Sequence, residues 1–189
     1  MDKALLIIDV QNDYFEGGCA ELVEPLEALA NVEKALALFR TAGLPVIHVQ
    51  HISTRLGAGF FLPDTVGAAI HSHIAPRDGE PVVVKHAPNS FYQTGLAELL
   101  KEKAVDELVV CGMMSHMCVD TTVRACKDLG LTVTLLHDAC ATKDLIWNGE
   151  MIPARTVHAA FMASLNGMFA SVIATDDLFC SALSALPIP

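Results

Sequence analysis

Asp9, Lys85 and Cys118 are the side chains whose types and placement could together carry out a reaction. Each is the first strongly polar or nucleophilic group beyond an apolar run. Leu5-Leu6-Ile7-Ile8 precedes Asp9, Val82-Val83-Val84 precedes Lys85, and Leu108-Val109-Val110-Cys111 precedes the Gly112 that leads on to Cys118. A helical pattern starts at about His116, so Cys118 falls in a first turn, where backbone N–H groups are unpaired and the helix dipole favours an anion. A free thiol titrates at about 8.5, and a helix start with an ammonium beside it is expected to lower that value towards a thiolate. Asp9 could then take the thiol proton and return it to a leaving amine, while Lys85 holds Asp9 and stabilises the charge of the pair. The amides of Met114 and Cys118 could cradle a tetrahedral oxyanion. Such chemistry is acyl transfer from a carbonyl to sulfur, and it calls for no metal and no cofactor.

The elements that must position these groups alternate along the chain. Residues 5–8, 45–50, 82–85, 105–111, 132–136 and 170–174 have strand composition, and several are continuous apolar runs of the kind buried on both faces. Residues 25–42, 95–103, 116–130 and 154–166 have helical spacing. In the first of these, Leu26, Leu29, Ala30, Val32, Leu36 and Phe39 share a stripe, Gly43 caps it, and Pro45 forbids its continuation. The alternation predicts one α/β domain over residues 1–189, a three-layer α/β/α arrangement around a six-stranded parallel sheet. Ligands of such sheets bind outside the carboxyl ends of the strands, near the point where strand order reverses. Residues 53–80 lack periodicity, and long loops in compact domains are usually functional. Phe60-Phe61-Leu62 within it points to an apolar lid or a subunit contact.

Bulk properties exclude several classes. Hydrophobic residues make up 52% of the 189 and charged ones 18%, with a mean hydropathy of +0.44. No apolar run approaches the roughly 20 residues needed to cross a bilayer, so the expectation is a doubly buried sheet plus an apolar subunit interface, hence a homo-oligomer and no membrane partner. A net charge of −10 without any basic cluster argues against nucleic acid. The amino terminus runs straight into strand sequence, too short for a secretory signal. Six cysteines without a CxxC pair suggest neither a zinc site nor a disulfide framework, and a reduced, cytoplasmic protein is expected. Cys111, Cys126 and Cys140 are expected in the core, Cys19 and Cys180 at the periphery.

The chain resembles the isochorismatase-like cysteine hydrolase family. The resemblance is carried by Leu5-Leu6-Ile7-Ile8-Asp9-Val10-Gln11-Asn12-Asp13, Pro45-Val46-Ile47-His48-Val49-Gln50-His51, and Val84-Lys85 with Asn89-Ser90-Phe91. It continues through Cys111-Gly112-Met113-Met114-Ser115-His116-Met117-Cys118-Val119, His137-Asp138-Ala139-Cys140-Ala141 and Val157-His158. It implies a Rossmann-like fold with a six-stranded parallel sheet, an Asp-Lys-Cys triad at Asp9, Lys85 and Cys118, and a cis peptide between Met113 and Met114. Metal-binding nicotinamidases of the superfamily carry an Asp-x-His element after the second strand. Here that region reads Val49-Gln50-His51-Ile52-Ser53, so no metal site of that type is expected. Isochorismate hydrolases, which cleave a vinyl ether, do not depend on a cysteine at the nucleophile position. Retention of Cys118 therefore favours a small carboxamide or ureido substrate, cleaved at its C–N bond through a thioester. The alternatives are a vinyl ether hydrolase that keeps the cysteine unused, and a non-catalytic ligand-binding or redox protein built on the same thiol.

Around this centre, Phe15 and Phe91 follow catalytic strands closely and are expected to wall the pocket. Phe60, Phe61 and Trp147 suit a pocket or a neighbouring subunit equally. Gln11 and Asp13 suit a turn or a substrate contact, His116 could approach the pocket or face solvent, and Arg55 is a loop cation that could meet an acidic substrate. The eight histidines, His48 with His51 and His71 with His73 above all, are expected in structural or surface roles.

Overall fold

The computed structural model describes residues 2–178. Six strands form one parallel sheet: β1 (Asp2–Ile8), β2 (Val46–His51), β3 (Val82–Lys85), β4 (Val105–Met113), β5 (Thr132–Ala141) and, at the far edge, Ser171–Ile173. Between β5 and that last strand, which is β8, lie β6 (Leu145–Trp147) and β7 (Glu150–Ile152), a separate antiparallel hairpin. The order across the sheet is β3-β2-β1-β4-β5-β8. The chain thus builds outward in one direction from β1, then restarts at β4 on the other side. That reversal places the carboxyl ends of β1 and β4 at the crevice such sheets use for ligands.

The apolar run of β1 explains its central place. Leu5 and Ile7 enter one core, with α1 (Pro25–Thr41) packed on it through Leu29, Val32, Leu36 and Phe39. Ala4, Leu6 and Ile8 enter the other, which α2 (Leu96–Glu102), α3 (Asp120–Asp128) and α4 (Ala154–Leu165) cover. All five β1 residues are at most 1% exposed. This is the three-layer α/β/α architecture that the alternation predicts, and the core positions of Cys111, Cys126 and Cys140 agree with expectation. Cys19 is exposed, Cys180 lies outside the described residues, and the five described cysteines are free thiols. No helix among the described residues is long and apolar enough to cross a membrane.

Three segments differ from the sequence reading. The helix expected from residue 116 opens instead as a wide π-type turn, Ser115–Val119, and becomes regular only in α3. Strand β5 runs on to Ala141, because its pairing with β4 jumps from Val110–Leu135 to Gly112–Cys140 and resumes beyond the irregularity. The β6–β7 hairpin is not among the expected elements, although its signal is present: Asn148-Gly149, both with positive φ (51° and 80°), is a dipeptide favoured in two-residue hairpin turns. Within the 53–80 excursion a 3₁₀ turn, Ser72–Ile74, is capped by His71, whose Nδ1 accepts from the His73 N–H at 3.3 Å.

Candidate active site

Asp9 ends β1 in a left-handed backbone conformation (φ 51°), its N–H on the Val49 carbonyl at 3.1 Å. Lys85 ends β3, and its register partner on β2 is His51. Cys118 lies in the wide turn after β4. The peptide between Met113 and Met114 is cis, as the resemblance implies. The Met114 carbonyl accepts from the N–H groups of Met117 (3.0 Å) and Val119 (3.3 Å), which gives the turn its width. Gly112 is required upstream of it. Its φ is 127°, and a Cβ there would stand 2.0 Å from the Ile8 carbonyl oxygen, so only glycine lets β4 lie this close to β1.

The structure brings Asp9, Lys85 and Cys118 together in a sealed space. Asp9 and Lys85 are 0% exposed and Cys118 is 4% exposed. Lys85 Nζ lies 2.7 Å from Asp9 Oδ2, 3.1 Å from His51 Nδ1 and 3.0 Å from the Ala87 carbonyl, with the Pro88 carbonyl at 3.4 Å. The loop supplying those carbonyls is tied to α3, since Ser90 N–H donates to Thr122 Oγ1 at 3.1 Å and the two hydroxyls meet at 2.9 Å. Neither Asp9 oxygen accepts a bond from a described backbone amide. Burial therefore pushes the Asp9 carboxyl above its ordinary value, with Lys85 and the Cys118 thiol pulling the other way. Burial works to lower Lys85, but the Asp9 carboxylate, aided by the Cys118 sulfur, outweighs it and holds the ammonium above its usual range.

For Cys118 the outcome corrects the sequence expectation of a lowered thiol. Burial and the Asp9 charge push it well up, and Lys85 opposes them only in part. The physical reason is that the Lys85 charge is already matched by Asp9 at contact distance, so the thiol meets a neutral ion pair and a dry surrounding. The resting state is thus a thiol beside a carboxylate and an ammonium, with no net charge. Moving one proton from sulfur to Asp9 leaves a thiolate and an ammonium with no net charge, so the transfer creates no unpaired charge in the interior.

Side chains that sequence reasoning had not assigned to the site also meet here. His51 offers a ring nitrogen that, with a carboxylate oxygen of Asp9 and Cys118 Sγ, falls in a group whose members lie within 4.8 Å of one another. Such a donor set has the dimensions of a metal site, but Lys85 Nζ stands at contact distance from two of its members. Like charges at that range repel strongly in a buried site, so these residues do not fit a resident metal cation. Tyr14, 1% exposed, stacks edge-on to Phe61 at 4.7 Å, and its hydroxyl is held well above its ordinary value by burial, then by Cys118, Asp9 and Asp13. Ser115 is fully buried and its Oγ meets His158 Nδ1 at 2.8 Å and the Ala141 carbonyl at 3.2 Å, pinning the start of the turn to α4 and β5. Register and burial, which no linear spacing displays, are what single out these three.

The remaining candidates separate. Phe15 is 6% exposed, packed on the His71 ring at 4.4 Å and in one core with Met113 and Met114. Phe91 lies away from the site. It lines a cavity with Leu100, Val105 and Leu131, towards the amino ends of β4 and β5, the opposite edge of the sheet. His116 is engaged by Thr142 Oγ1 and the Phe161 ring. Gln11 is wholly buried with its amide on main-chain atoms alone, donating to the carbonyls of His51 (2.9 Å) and Ala68 (2.7 Å) and accepting from His51 N–H (2.8 Å). Asp13 likewise accepts from Phe61 N–H at 2.6 Å and Cys19 N–H at 3.2 Å. These two side chains fold the 53–80 excursion back onto the chain, so Phe61 is buried against Tyr14 of its own subunit. Phe60 lies beside it, lining an outer cleft with Asn12, Gly17 and Thr65. Arg55 and Trp147 are exposed.

Comparison with known proteins bears on the family and the fold. The isochorismatase domain family matches residues 3–177. An isochorismatase family protein of Bacillus subtilis, YddQ, is 50% identical over 93% of this chain and 98% of its own length. A streptothricin hydrolase of Streptomyces noursei is 40% identical over 76% of this chain, which spans 51% of that protein. The crystal structure of an isochorismatase-type hydrolase from Oleispira antarctica superposes with a TM-score of 0.91 at 47% identity, covering 95% of this chain and 96% of that one. Its sheet, its site and these relatives together show that the chain belongs to the isochorismatase family of hydrolases.

Proposed function

We propose that this hydrolase cleaves the C–N bond of a small carboxamide or ureido compound by metal-independent cysteine catalysis. The observation that carries the reading is the buried, charge-neutral set of Asp9, Lys85 and Cys118 at the reversal point of the sheet. As Cys118 Sγ bonds to the carbonyl carbon, its proton passes to Asp9. The carbonyl oxygen becomes an oxyanion facing the amides of Met114 and Cys118 at the start of the turn. Asp9 then gives the proton to the departing nitrogen as the C–N bond breaks, leaving a thioester on sulfur. Water attacks that thioester, losing one proton to Asp9, which returns it to the thiol as the acid leaves. Lys85 keeps its proton throughout, since its ammonium is saturated by Asp9, His51 and the Ala87 carbonyl.

Mass-spectrometric trapping of an acyl adduct on Cys118 from a carboxamide mixture tests the reading directly. Cys118→Ala is expected to abolish turnover with the fold intact, and unchanged turnover would end the nucleophile assignment. Cys118→Ser separates the vinyl ether alternative, because amide hydrolysis should collapse while ether hydrolysis need not. Reversible oxidation of Cys118 without any amide turnover would favour the redox alternative. A homo-oligomer is part of the same proposal, supported by Ile146, Trp147 and Met151, which are 77%, 70% and 65% exposed on one hairpin. Light scattering of the wild type measures it.

A further inference from the structure

His51 has no part in the proton path above, yet its backbone and its ring are both fixed at the site. Its N–H donates to Gln11 Oε1 and its carbonyl accepts from Gln11 Nε2, so the buried glutamine clamps the main chain on both sides. Its ring sits opposite Lys85 in the β2–β3 register, and Nδ1 lies 3.1 Å from Nζ. An ammonium has no lone pair, so Nδ1 must be the acceptor and the ring proton must be on Nε2. Burial, then Lys85 and His86, push the imidazole down to about 4, which keeps it neutral in that one tautomer. Facing groups on the packed elements are Asp9, with Oδ2 at 4.0 Å, the Cys118 thiol, the Phe61 ring at 5.8 Å, and Lys85.

Two facts give the ring a direction of action. Nε2–H meets no acceptor among the described residues, and it is not among the polar atoms sealed from solvent without a partner. The His51 side chain is 16% exposed, whereas those of Asp9 and Lys85 are 0% exposed. It is therefore a fixed donor at the open side of a closed site. It also stands on the Asp9 side, and Asp9 is the group that hands a proton to the departing nitrogen.

We infer that His51 is a substrate-binding residue that reads the leaving group, selecting substrates whose departing nitrogen bears a hydrogen-bond acceptor. N-acylureas attacked at the acyl carbonyl, and N-acyl amides, have such a carbonyl on the departing nitrogen, whereas primary amides, which release ammonia, have none. A donor that a substrate covers without satisfying is penalised, whereas one that finds its acceptor gains a hydrogen bond. This assignment rests on the amidohydrolase reading and narrows it to the acceptor-bearing branch of its substrates.

The test compares one acyl group presented as its N-acylurea and as its primary amide. The ratio of the two kcat/KM values in a variant, divided by that in the wild type, cancels their intrinsic reactivities. His51→Leu is expected to lower the ratio by about tenfold or more, the worth of one well-made hydrogen bond. His51→Gln, whose amide can accept from Lys85 and donate outward, is expected to restore most of it. Should His51→Leu fail to fold by circular dichroism, His51→Asn, polar but too short to reach the substrate, is expected to show the same loss. Equal falls with both substrates would mean that His51 serves only to position Lys85, and would overturn the inference while leaving the amidohydrolase reading standing. If the wild type turned over neither substrate and formed no adduct on Cys118, the amidohydrolase reading would fail and this assignment with it.

Discussion

At the scale of single residues, proton location decides how the site behaves. Cys118 is at rest a thiol rather than a thiolate, because burial and Asp9 raise it more than Lys85 lowers it. Only a carbonyl held against sulfur, with Asp9 ready to take the proton, should draw out its nucleophilicity. Iodoacetamide at neutral pH is accordingly expected to alkylate Cys118 more slowly than exposed Cys19, which peptide mass spectrometry would resolve. Asp9 must be ionised to act as base, and burial raises it above the 3.8 of an ordinary aspartate. The acid limb of kcat/KM is therefore expected above that value, with activity gained as pH rises through it. A pH–rate profile checks the sign: a limb at or below the ordinary value would mean that Asp9 is better solvated than its geometry indicates.

At the scale of elements, the strand ends carry the active groups and the turn after β4 delivers the sulfur. Gly112→Ala places a Cβ 2.0 Å from the Ile8 carbonyl at a φ of 127°. A loss of about 3 kcal/mol or more is expected, read as a fall in the urea midpoint. Ser115→Ala strands the His158 nitrogen and should cost about 1–3 kcal/mol, measured the same way. Asp9, Lys85 and Cys118 were legible in the sequence because each follows its own apolar strand, a purely local mark. His51 was not, since its role comes from cross-strand register with Lys85, which appears only once β2 and β3 pair. Phe91 misled for the converse reason. Closeness to Lys85 along the chain gave it a place at the pocket, but the loop after β3 turns down along α2 and carries the ring to the other edge. The wide turn at Ser115–Val119 leaves no mark in apolar spacing, because its residues look like the start of α3.

At the scale of the whole molecule, a second polar cluster secures the flank of the sheet away from the chemistry. Glu80 holds Arg40 through both oxygens at 2.7 Å and meets the buried His48 at 3.1 Å. The Arg40 guanidinium, with lesser help from the Arg77 amide and His48, keeps the Glu80 carboxyl down at about 2, against 4.5 when unperturbed. Its folded value is depressed, so its contribution to stability is fully present above pH 4.5 and is lost as pH falls towards 2. Glu80→Gln is expected to flatten that part of the stability–pH curve, and denaturant melts between those limits measure it. The 53–80 excursion joins the body differently. Gln11 and Asp13 grip it only by main-chain groups, the Ala68 carbonyl and the Phe61 N–H. A grip on the backbone is indifferent to which side chains the backbone carries, apart from Gly67, where a Cβ would strike the Asp13 carboxylate. The exposed side chains of the excursion, Leu56, Leu62 and Val66 among them, can therefore change without loosening the strand end that holds the base. In a protein built this way, the outer face of the loop and the reaction centre are free to change independently.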